Sequence, residues 1–175
     1  MQLIEAVFDH VHTAERPLVA QPGYTVVDRL DVADIVSEKD HRWHGELGRR
    51  KVDDRTAHWS VFEREIAETG LVLDGGRTIR GGETFTMAIA PDKPIRLVLR
   101  SGGQEGYAFN EAIKTAVTLS VFDEDNTQLG TITIPPPRGR FVELALDLPA
   151  RHAESITLRT RGGLYRAFHW FVLQP

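Results

Sequence analysis

Apolar and polar residues alternate along most of the chain between residues 83 and 173, in short runs separated by turn residues. In the first run, Phe85, Met87 and Ile89 alternate with small or polar residues. A period of two is the pattern of a β-strand that buries one face and exposes the other. The same pattern recurs in residues 95–100, 117–121, 132–134, 142–148 and 156–158. Six or more such strands in succession predict an antiparallel sandwich or barrel, not an alternating α/β core.

The remaining segments extend this pattern toward both ends of the chain. Residues 24–32 and 58–66 alternate in the same way and are predicted strands. The polar segment 33–57 between them predicts a long loop with one helical turn after Ser37. Residues 165–173 are apolar on both faces, which predicts a central strand. Further expected elements are a strand at 3–11, a tight turn at 74–76, a bend at 80–82, and helical turns at 110–114 and 151–154.

The pattern assigns the chain to the all-β class, as an antiparallel jelly-roll β-sandwich of about nine or ten strands with long early loops. At 175 residues, the chain is long enough to bury a good core without disulfides. We expect residues 1–23 to form an N-terminal extension or edge strand, and residues 24–175 to form a single sandwich domain.

Composition excludes several classes of function. The net charge of −4 provides no global basic field to recruit nucleic acid or an anionic membrane. No apolar run approaches the roughly 20 residues of a membrane-spanning helix, and no signal peptide is visible in residues 1–20. Cysteine is absent, which removes disulfides, thiolate catalysis and sulfur-ligated zinc. We therefore expect a soluble protein, and the compartment stays open.

The strand pattern resembles the galactose-binding-like sandwich modules that are attached to carbohydrate-active proteins. The resemblance is carried by residues 71–80 with 83–89, by the hairpin 117–134, and by the closing strand with His169, Trp170 and Phe171. It covers residues 58–173. The resemblance implies a ligand-binding accessory module, which in such proteins is one domain of a multidomain chain. Purely structural modules also occur in this group.

Arginines recur at the polar positions of the predicted strands. They are Arg96, Arg100, Arg159 and Arg161, together with Arg166 in the last strand. If these strands are neighbours, the arginines form one exposed surface, and their planar donors suit carboxylates, sulfates or sugar hydroxyls. The alternative is an ordinary solvated strand face, in which acids such as Glu143 and Asp147 pair with the arginines.

The polar loop after residue 33 is a second candidate site. Its chemistry-bearing residues are Asp34, Ser37, Glu38, His41, Trp43 and His44, with His58 and Trp59 in the next strand. Carboxylates, imidazoles and indoles suit a sugar-binding platform, and a carboxylate beside a histidine suits general acid–base catalysis. The structural alternative is that Ser37 and Glu38 cap a turn while Trp43 anchors the loop to the sandwich.

Metal binding is a third hypothesis. Asp123, Asp125 and Asn126 offer oxygen ligands that calcium accepts, although the distant bidentate glutamate of a calcium loop is missing. The simpler explanation of this turn is that Asp and Asn tolerate left-handed backbone. The histidines whose spacing suits a transition metal are His10 with His12 and His41 with His44. Zinc would require three or four converging ligands.

The leading function predicted from the sequence is non-catalytic binding of a glycan or another polyhydroxylated ligand. The residues expected to bind it are Trp43, His41, Trp59, Arg100, Arg159 and Arg166. One alternative is a small hydrolase or lyase that uses Glu38 with His41 or His44, with or without a metal. Another is a protein-interaction or oligomerisation domain, in which residues 3–11 pair with a neighbouring chain.

Overall fold

The computed structural model describes residues 15–19, 21–46, 60–67, 70–102, 115–136 and 141–175, with the backbone alone described between 60 and 73. The strand expected at 3–11 and the helical turn expected at 110–114 lie outside these residues. Trp59, one of the residues expected to bind ligand, also lies outside them.

Twelve β-strands and one short α-helix form within the described residues. The strands are β1 Thr25–Asp31, β2 His44–Gly45, β3 Ser60–Ala67, β4 Gly70–Arg80, β5 Glu83–Ala88, β6 Ile95–Gly102, β7 Val117–Phe122, β8 Gln128–Ile134, β9 Phe141–Leu148, β10 Ser155–Arg161, β11 Leu164–Ala167 and β12 His169–Gln174. The helix α1 is Ile35–Asp40. The Asp34 carboxylate accepts a hydrogen bond from the Val36 amide and caps the start of the helix.

The strands form three antiparallel sheets. Sheet A has the order β1-β12-β6-β9, sheet B has the order β2-β5-β10-β7-β8, and sheet C has the order β11-β4-β3. From β5 onward the chain crosses repeatedly between two of them, since β5, β7, β8 and β10 lie in sheet B while β6, β9 and β12 lie in sheet A. Two antiparallel sheets connected in this way form a jelly-roll sandwich. The predicted fold class is therefore confirmed.

Sheets A and B enclose the main hydrophobic core. Leu97, Leu99 and Trp170 point inward from sheet A and are fully buried. Phe85 and Leu119 point inward from sheet B and are also fully buried. The rings of Phe85 and Trp170 lie 5.0 Å apart and connect the two sheets. Alternate positions of the same strands face outward, as the period of two predicts.

The outer face of sheet A is covered by the residues that precede β1. Tyr24 packs on one apolar cluster of this face and Leu18 packs on another. The buried members of the two clusters are Val98, Phe171, Leu173, Phe141 and Phe168. The amides of Leu18 and Val19 donate to the carboxylate of Glu143 in β9, at 2.9 and 3.2 Å. Sheet A is therefore buried on both faces where these residues lie.

The tight turn predicted at 74–76 is wrong, because β4 runs unbroken from Gly70 to Arg80. A Cβ at Gly76 would collide with the Ala167 carbonyl oxygen and the Phe168 ring. The glycine therefore allows β11 to approach β4 closely and does not reverse the chain. The bend predicted at 80–82 is confirmed, and Gly81 adopts a φ of +114° there.

The strand predicted at 165–173 is divided between two sheets, since β11 lies in sheet C and β12 in sheet A. The break falls at Phe168, whose amide donates to the carbonyl of Arg100 at 3.0 Å. The central placement is confirmed for β12, which lies between β1 and β6. Residues 152–154 form bends, and the helical turn expected at 151–154 is absent. Within the described ranges, no helix is long and apolar enough to cross a membrane.

We expect Leu97→Ala to lower the free energy of unfolding by about 2–5 kcal/mol, because it leaves a cavity between the two sheets. Urea unfolding followed by tryptophan fluorescence measures this change. Thr131 is exposed on the outer face of sheet B, so Thr131→Ala is the matched control and should stay within about 0.5 kcal/mol of wild type. A Leu97→Ala protein as stable as the control would contradict a close-packed core at this position.

Candidate functional site

The outer face of sheet B is polar and accessible to solvent. Strand pairing places His44, Thr84, Arg159, Phe122 and Gln128 in one row that crosses all five strands. Each of these residues is at least partly exposed. Because neighbouring strands are about 4.8 Å apart, the row is about 19 Å long. It forms a continuous strip of imidazole, hydroxyl, guanidinium, aromatic and amide groups.

Hydroxyl groups fill the rows beside this strip. They belong to Thr86, Thr118, Ser120, Thr131, Thr133 and Thr157. The Oγ1 atoms of Thr86 and Thr157 lie 3.1 Å apart, and a second threonine pair is spaced at 3.3 Å. A hydroxyl donates one hydrogen bond and accepts two, so these pairs keep capacity for a ligand. No carboxylate occupies an outward position of the described strands β2, β5, β7, β8 and β10.

Two arginines lie side by side on this face. Arg159 Nη1 and Arg161 Nη2 both point at the side-chain oxygen of Asn126, at 2.7 and 3.4 Å. The guanidinium group of Arg161 also lies over the Phe122 ring, 4.9 Å from its centroid, in a cation–π contact. Asn126 reaches the arginines from the turn between β7 and β8, where its φ of 60° is left-handed. The turn and the ring thus hold both guanidinium groups in place.

The same turn contains the predicted calcium ligands. Asp123 Oδ1 accepts the amides of Asp125 and Thr127, at 3.1 and 2.9 Å, and so closes the turn. The side-chain oxygen of Asn126 faces two guanidinium groups, and these would repel a bound cation. The geometry therefore favours the structural explanation of the turn, and calcium binding at Asp123, Asp125 and Asn126 gains no support from it.

The prediction that the arginines share one exposed surface is wrong. Arg96 and Arg100 lie in sheet A, whereas Arg159 and Arg161 lie in sheet B, and the two pairs face away from each other. Arg100 is fully buried and Arg166 is 5% exposed. The alternation of apolar and polar residues implies a solvent-exposed face at these positions, but other parts of the chain cover sheet A and β11 there. Of the three arginines expected to bind ligand, Arg159 is the one on the open face of sheet B. Its role in binding stays a prediction.

Arg100 is the centre of a buried polar network on the covered face of sheet A. Its Nη1 donates to Asp74 Oδ2 at 2.6 Å, its Nε donates to Glu143 Oε1 at 3.0 Å, and its Nη2 donates to the Arg16 carbonyl. The side chains of Asp74 and Glu143 are 2% and 3% exposed. The guanidinium group lies 5.2 Å from the centroid of the Phe171 ring. Removing the Arg100 guanidinium group would leave two buried carboxylates without this cation.

Asp31, Asp74 and His169 place three atoms that could ligate a metal within 4.8 Å of one another. His169 Nδ1 lies 2.9 Å from Asp74 Oδ2, and its Nε2 lies 3.6 Å from Asp31 Oδ2. Burial raises the pKa of Asp31; the charge of His169 opposes this effect, and the Asp74 charge adds a smaller contribution in the raising direction. The Asp74 oxygen that faces His169 also accepts a hydrogen bond from Arg100. The positive charge of this cluster is therefore already supplied by the protein, and the donor set fits an internal network better than a resident metal.

His41 stabilises the end of α1. Its Nδ1 lies 2.7 Å from the Ser37 carbonyl oxygen and its Nε2 lies 3.2 Å from Asp28 Oδ1. The hydrogen bond to Asp28 is the main reason that the pKa of His41 is raised, although burial opposes it. Burial also acts to raise the pKa of Asp28, but hydrogen bonds from His41 and the Ala88 amide outweigh it and the pKa is lowered. Both imidazole nitrogens are engaged in holding the end of α1 against β1, and the His41 carbonyl accepts a hydrogen bond from the Thr86 amide of β5.

Glu38 is held in a separate ion pair. Its carboxylate accepts two hydrogen bonds from Arg77, through Nε and, at 2.8 Å, through Nη2. Arg77 in turn lies over the Trp43 ring, 5.5 Å from its centroid. His44 lies in the exposed row of sheet B and His41 is bonded to another acid. The described residues therefore do not join Glu38 with either histidine as an acid–base pair, and the hydrolase alternative gains no support from them.

Trp43 anchors the loop through a buried carboxylate, as the structural alternative expects. Trp43 Nε1 donates to Glu83 Oε2 at 2.6 Å, while Tyr165 Oη and Trp170 Nε1 donate to Oε1 at 2.7 and 2.9 Å. Glu83 is 2% exposed. Burial raises the pKa of Glu83, and the three hydrogen bonds only partly offset this effect. All three partners are donors, so both oxygens of the carboxylate accept hydrogen bonds.

Sequence reasoning missed most of the open face. It placed His44 in a loop cluster suited to sugar binding, catalysis or metal binding, it assigned Asn126 to calcium, and it assigned no role to Thr84 or Phe122. A signal was present, because the polar positions of β5 and β10 carry hydroxyls and arginines but no acids. Nothing in the local pattern states that these two strands are neighbours, since pairing is decided by the whole fold.

The His41–Asp28 pair predicts a pH-dependent stability. The contribution of His41 is complete below its ordinary pKa of 6.5 and is lost as the pH rises through its raised pKa in the folded state. The contribution of Asp28 is complete above its ordinary pKa of 3.8 and is lost as the pH falls through its lowered pKa. We therefore expect His41→Gln to destabilise the protein most between pH 3.8 and 6.5, and less as the pH rises further.

Urea unfolding of wild type and His41→Gln across this pH range measures the difference in the free energy of unfolding. The control is His152→Gln, because the His152 side chain is 92% exposed beside Asp92 and exposed pairs contribute little. A difference for His41→Gln that stays constant from pH 5 to about pH 9 would contradict an ionised pair.

We expect Glu83→Gln to lower the free energy of unfolding by about 1–3 kcal/mol. The amide nitrogen of the glutamine would face an N–H or O–H group that now donates a hydrogen bond to the carboxylate, and that bond would be lost. Trp43→Phe removes one of these donors. In the Trp43→Phe background, Glu83→Gln should therefore cost less than it does alone. A double-mutant cycle by urea unfolding measures this coupling, and strictly additive losses would mean that the Trp43 hydrogen bond does not depend on the carboxylate.

Comparison with known proteins gives structural similarity alone. No protein-family model and no curated protein matches the chain. A carbohydrate-binding module from lichenase 5A of Cellvibrio mixtus, solved with cellotriose, is 15% identical, with a TM-score of 0.48 over 86% of this chain and 98% of that one. A module from Clostridium stercorarium solved with cellobiose is 15% identical, with a TM-score of 0.40 over 69% of this chain and 90% of that one.

A third similar structure is the mannan-recognising carbohydrate-binding module TmCBM27. It is 9% identical to this chain, with a TM-score of 0.41 over 89% of this chain and 99% of that one. All three TM-scores are below 0.5. The jelly-roll assignment therefore rests on the strand order of this chain.

Proposed function

We propose that the chain binds a glycan or a similar polyhydroxylated ligand on the outer face of sheet B and does not transform it. The observation that carries the proposal is the composition of that face. Its row from His44 to Gln128 and the flanking rows present hydroxyls, guanidinium groups, an amide, an imidazole and a phenyl ring, with no carboxylate at the outward positions described. These are the groups that complement sugar hydroxyls and ring faces.

In this proposal each group of the face has a role. The strip of about 19 Å is long enough to lie against several sugar units of an extended chain. Arg159, in the central strand β10, donates one bond to Asn126 and is partly exposed, so its remaining donors are available to a ligand. The Arg161 group stacked on Phe122 provides a flat surface against which a sugar ring can pack. The paired threonine hydroxyls supply both donors and acceptors beside it.

Sheet A does not offer a comparable surface. Its outer face is covered by Leu18 and Tyr24, and Arg100 at its centre is fully buried. Arg96 at its margin is already paired with Asp147, through Nε at 2.7 Å and Nη2 at 2.9 Å. A ligand there would have to displace existing contacts, whereas the face of sheet B presents its polar groups directly to solvent.

We expect a glycan-array screen of the purified chain to detect saturable binding, and Arg159→Ala to weaken that binding by at least about tenfold, as for the loss of a central arginine contact. Isothermal titration with the best oligosaccharide measures the change. Arg96→Ala is the matched control, since Arg96 also lies over an aromatic ring, 4.6 Å from the Tyr24 centroid, but on the opposite sheet. Its affinity should equal that of wild type.

The two variants separate the outcomes. Loss of binding in Arg159→Ala alone supports the face of sheet B. Equal loss in both variants, or loss in Arg96→Ala alone, would place the ligand elsewhere and contradict this site. The absence of any glycan binding by folded wild-type protein would contradict the proposed function itself.

A further inference from the structure

We infer that the ligand of this face is an acidic glycan, one that carries carboxylate or sulfate groups. The inference rests on the proposed function and specifies its ligand class. It is drawn from the charge on the face of sheet B, which has the opposite sign to the net charge of the chain. The chain carries −4, yet the outward positions of the described strands in sheet B carry arginines and no acid.

The surroundings of Arg159 and Arg161 differ from those of five other described arginines. In each of those five, a carboxylate neutralises the guanidinium group. The pairs are Arg29 with Glu15, Arg77 with Glu38, Arg96 with Asp147, Arg100 with Asp74 and Glu143, and Arg151 with Asp123. In the part of the chain that the structure describes, Arg159 and Arg161 have no such partner, and both donate to the uncharged oxygen of Asn126.

Two positive groups that converge on one neutral oxygen repel each other. The fold nevertheless holds them together, because Asn126 accepts from both and Phe122 supports Arg161 from below. A ligand anion placed between them would convert this repulsion into two charge-assisted hydrogen-bonded pairs. Donors that are already oriented lose little conformational entropy on binding. The arrangement is therefore prepared for a carboxylate or a sulfate.

The rest of the face indicates which kind of acidic molecule carries that anion. The two arginines are surrounded by threonine and serine hydroxyls, including those of Thr84, Thr157 and Ser120. Hydroxyls in rows suit the many donors and acceptors of a sugar chain. Single-stranded nucleic acid is usually held by several stacking aromatics in a basic groove. The described outward positions of this face carry two rings, the Phe122 ring beneath Arg161 and the imidazole of His44, which lies three strands away in the same row. A glycan is the occupant that matches both the charge and the hydroxyls.

The test compares ligands that differ in charge alone. Oligogalacturonate and its methyl ester share a backbone but differ in carboxylate charge, and a sulfated galactan and its desulfated product differ in sulfate charge. We expect wild type to bind the charged member of at least one pair at least about tenfold more tightly, as measured by isothermal titration. This preference should weaken when the salt concentration is raised from about 50 mM to about 500 mM. The two pairs distinguish carboxylate from sulfate.

Variants locate the preference on the two arginines. Arg159→Gln with Arg161→Gln removes the charge but keeps polar donors, so it should weaken binding of the charged member much more than binding of the neutral member, until the two bind about equally. Arg159→Lys with Arg161→Lys keeps the charge and should restore part of the preference. Arg96→Gln is the control on sheet A and should behave as wild type. Circular dichroism and thermal unfolding confirm that each variant is folded.

The outcomes separate this inference from the proposed function. Equal binding of charged and neutral members, with Arg159→Ala still harmful, would overturn the acidic ligand and leave the glycan site in place. A charge preference that survives the double Gln variant would place the anion elsewhere and overturn the inference. Binding of polyglutamate or single-stranded DNA as tightly as the acidic glycan would show recognition of charge alone and would also overturn it. If the folded protein binds no glycan, the result would contradict the proposed function as well as the inference.

Discussion

The buried carboxylate of Glu83 is the interaction on which the arrangement of the three sheets depends. Glu83 belongs to β5 of sheet B and accepts hydrogen bonds from Trp170 of sheet A and Tyr165 of sheet C. A third bond, from Trp43, attaches the segment that leads into β2. Burying a carboxylate is costly unless its acceptors are satisfied. The requirement for three donors therefore fixes the relative positions of elements that no single strand pairing connects.

The consequence for function is an asymmetric sandwich. The segment before β1 and the strand β4 cover the outer face of sheet A, where Arg100 is neutralised by Asp74 and Glu143. The outer face of sheet B has no such cover at Arg161, which is exposed, and its positive groups have no carboxylate partner among the described residues. One sheet thus uses arginine to stabilise the fold, and the other presents arginine to solvent. A buried charge requires a partner, which explains the acids around Arg100. Water solvates the exposed guanidinium groups of sheet B, which therefore remain accessible to a ligand.

The alternation of apolar and polar residues predicted the sandwich and the face of the strand on which each arginine lies. It did not predict whether other residues cover that face. Arg100 and Arg159 both occupy outward positions of regular strands. Arg100 is buried because distant residues cover it, including the carbonyl of Arg16. Burial of an outward position depends on contacts between residues far apart in the chain, and a period of two carries no information about them. The local sequence was also insufficient at residues 75 and 76, where two glycines predicted a turn. Gly76 is required because β11 approaches β4 closely at this position.

The sequence by itself determined the all-β class, most strand positions, the bend at Gly81 and the inward residues of the core, because these follow from local periodicity and turn chemistry. Only the tertiary structure decided which strands are neighbours, and therefore that His44, Thr84, Arg159 and Phe122 form one row. It also decided that His41 and Glu38 bind different partners, Asp28 and Arg77. The physical reason is that a site is made by side chains from separate strands. Their proximity comes from long-range pairing and core packing, which no local segment encodes alone.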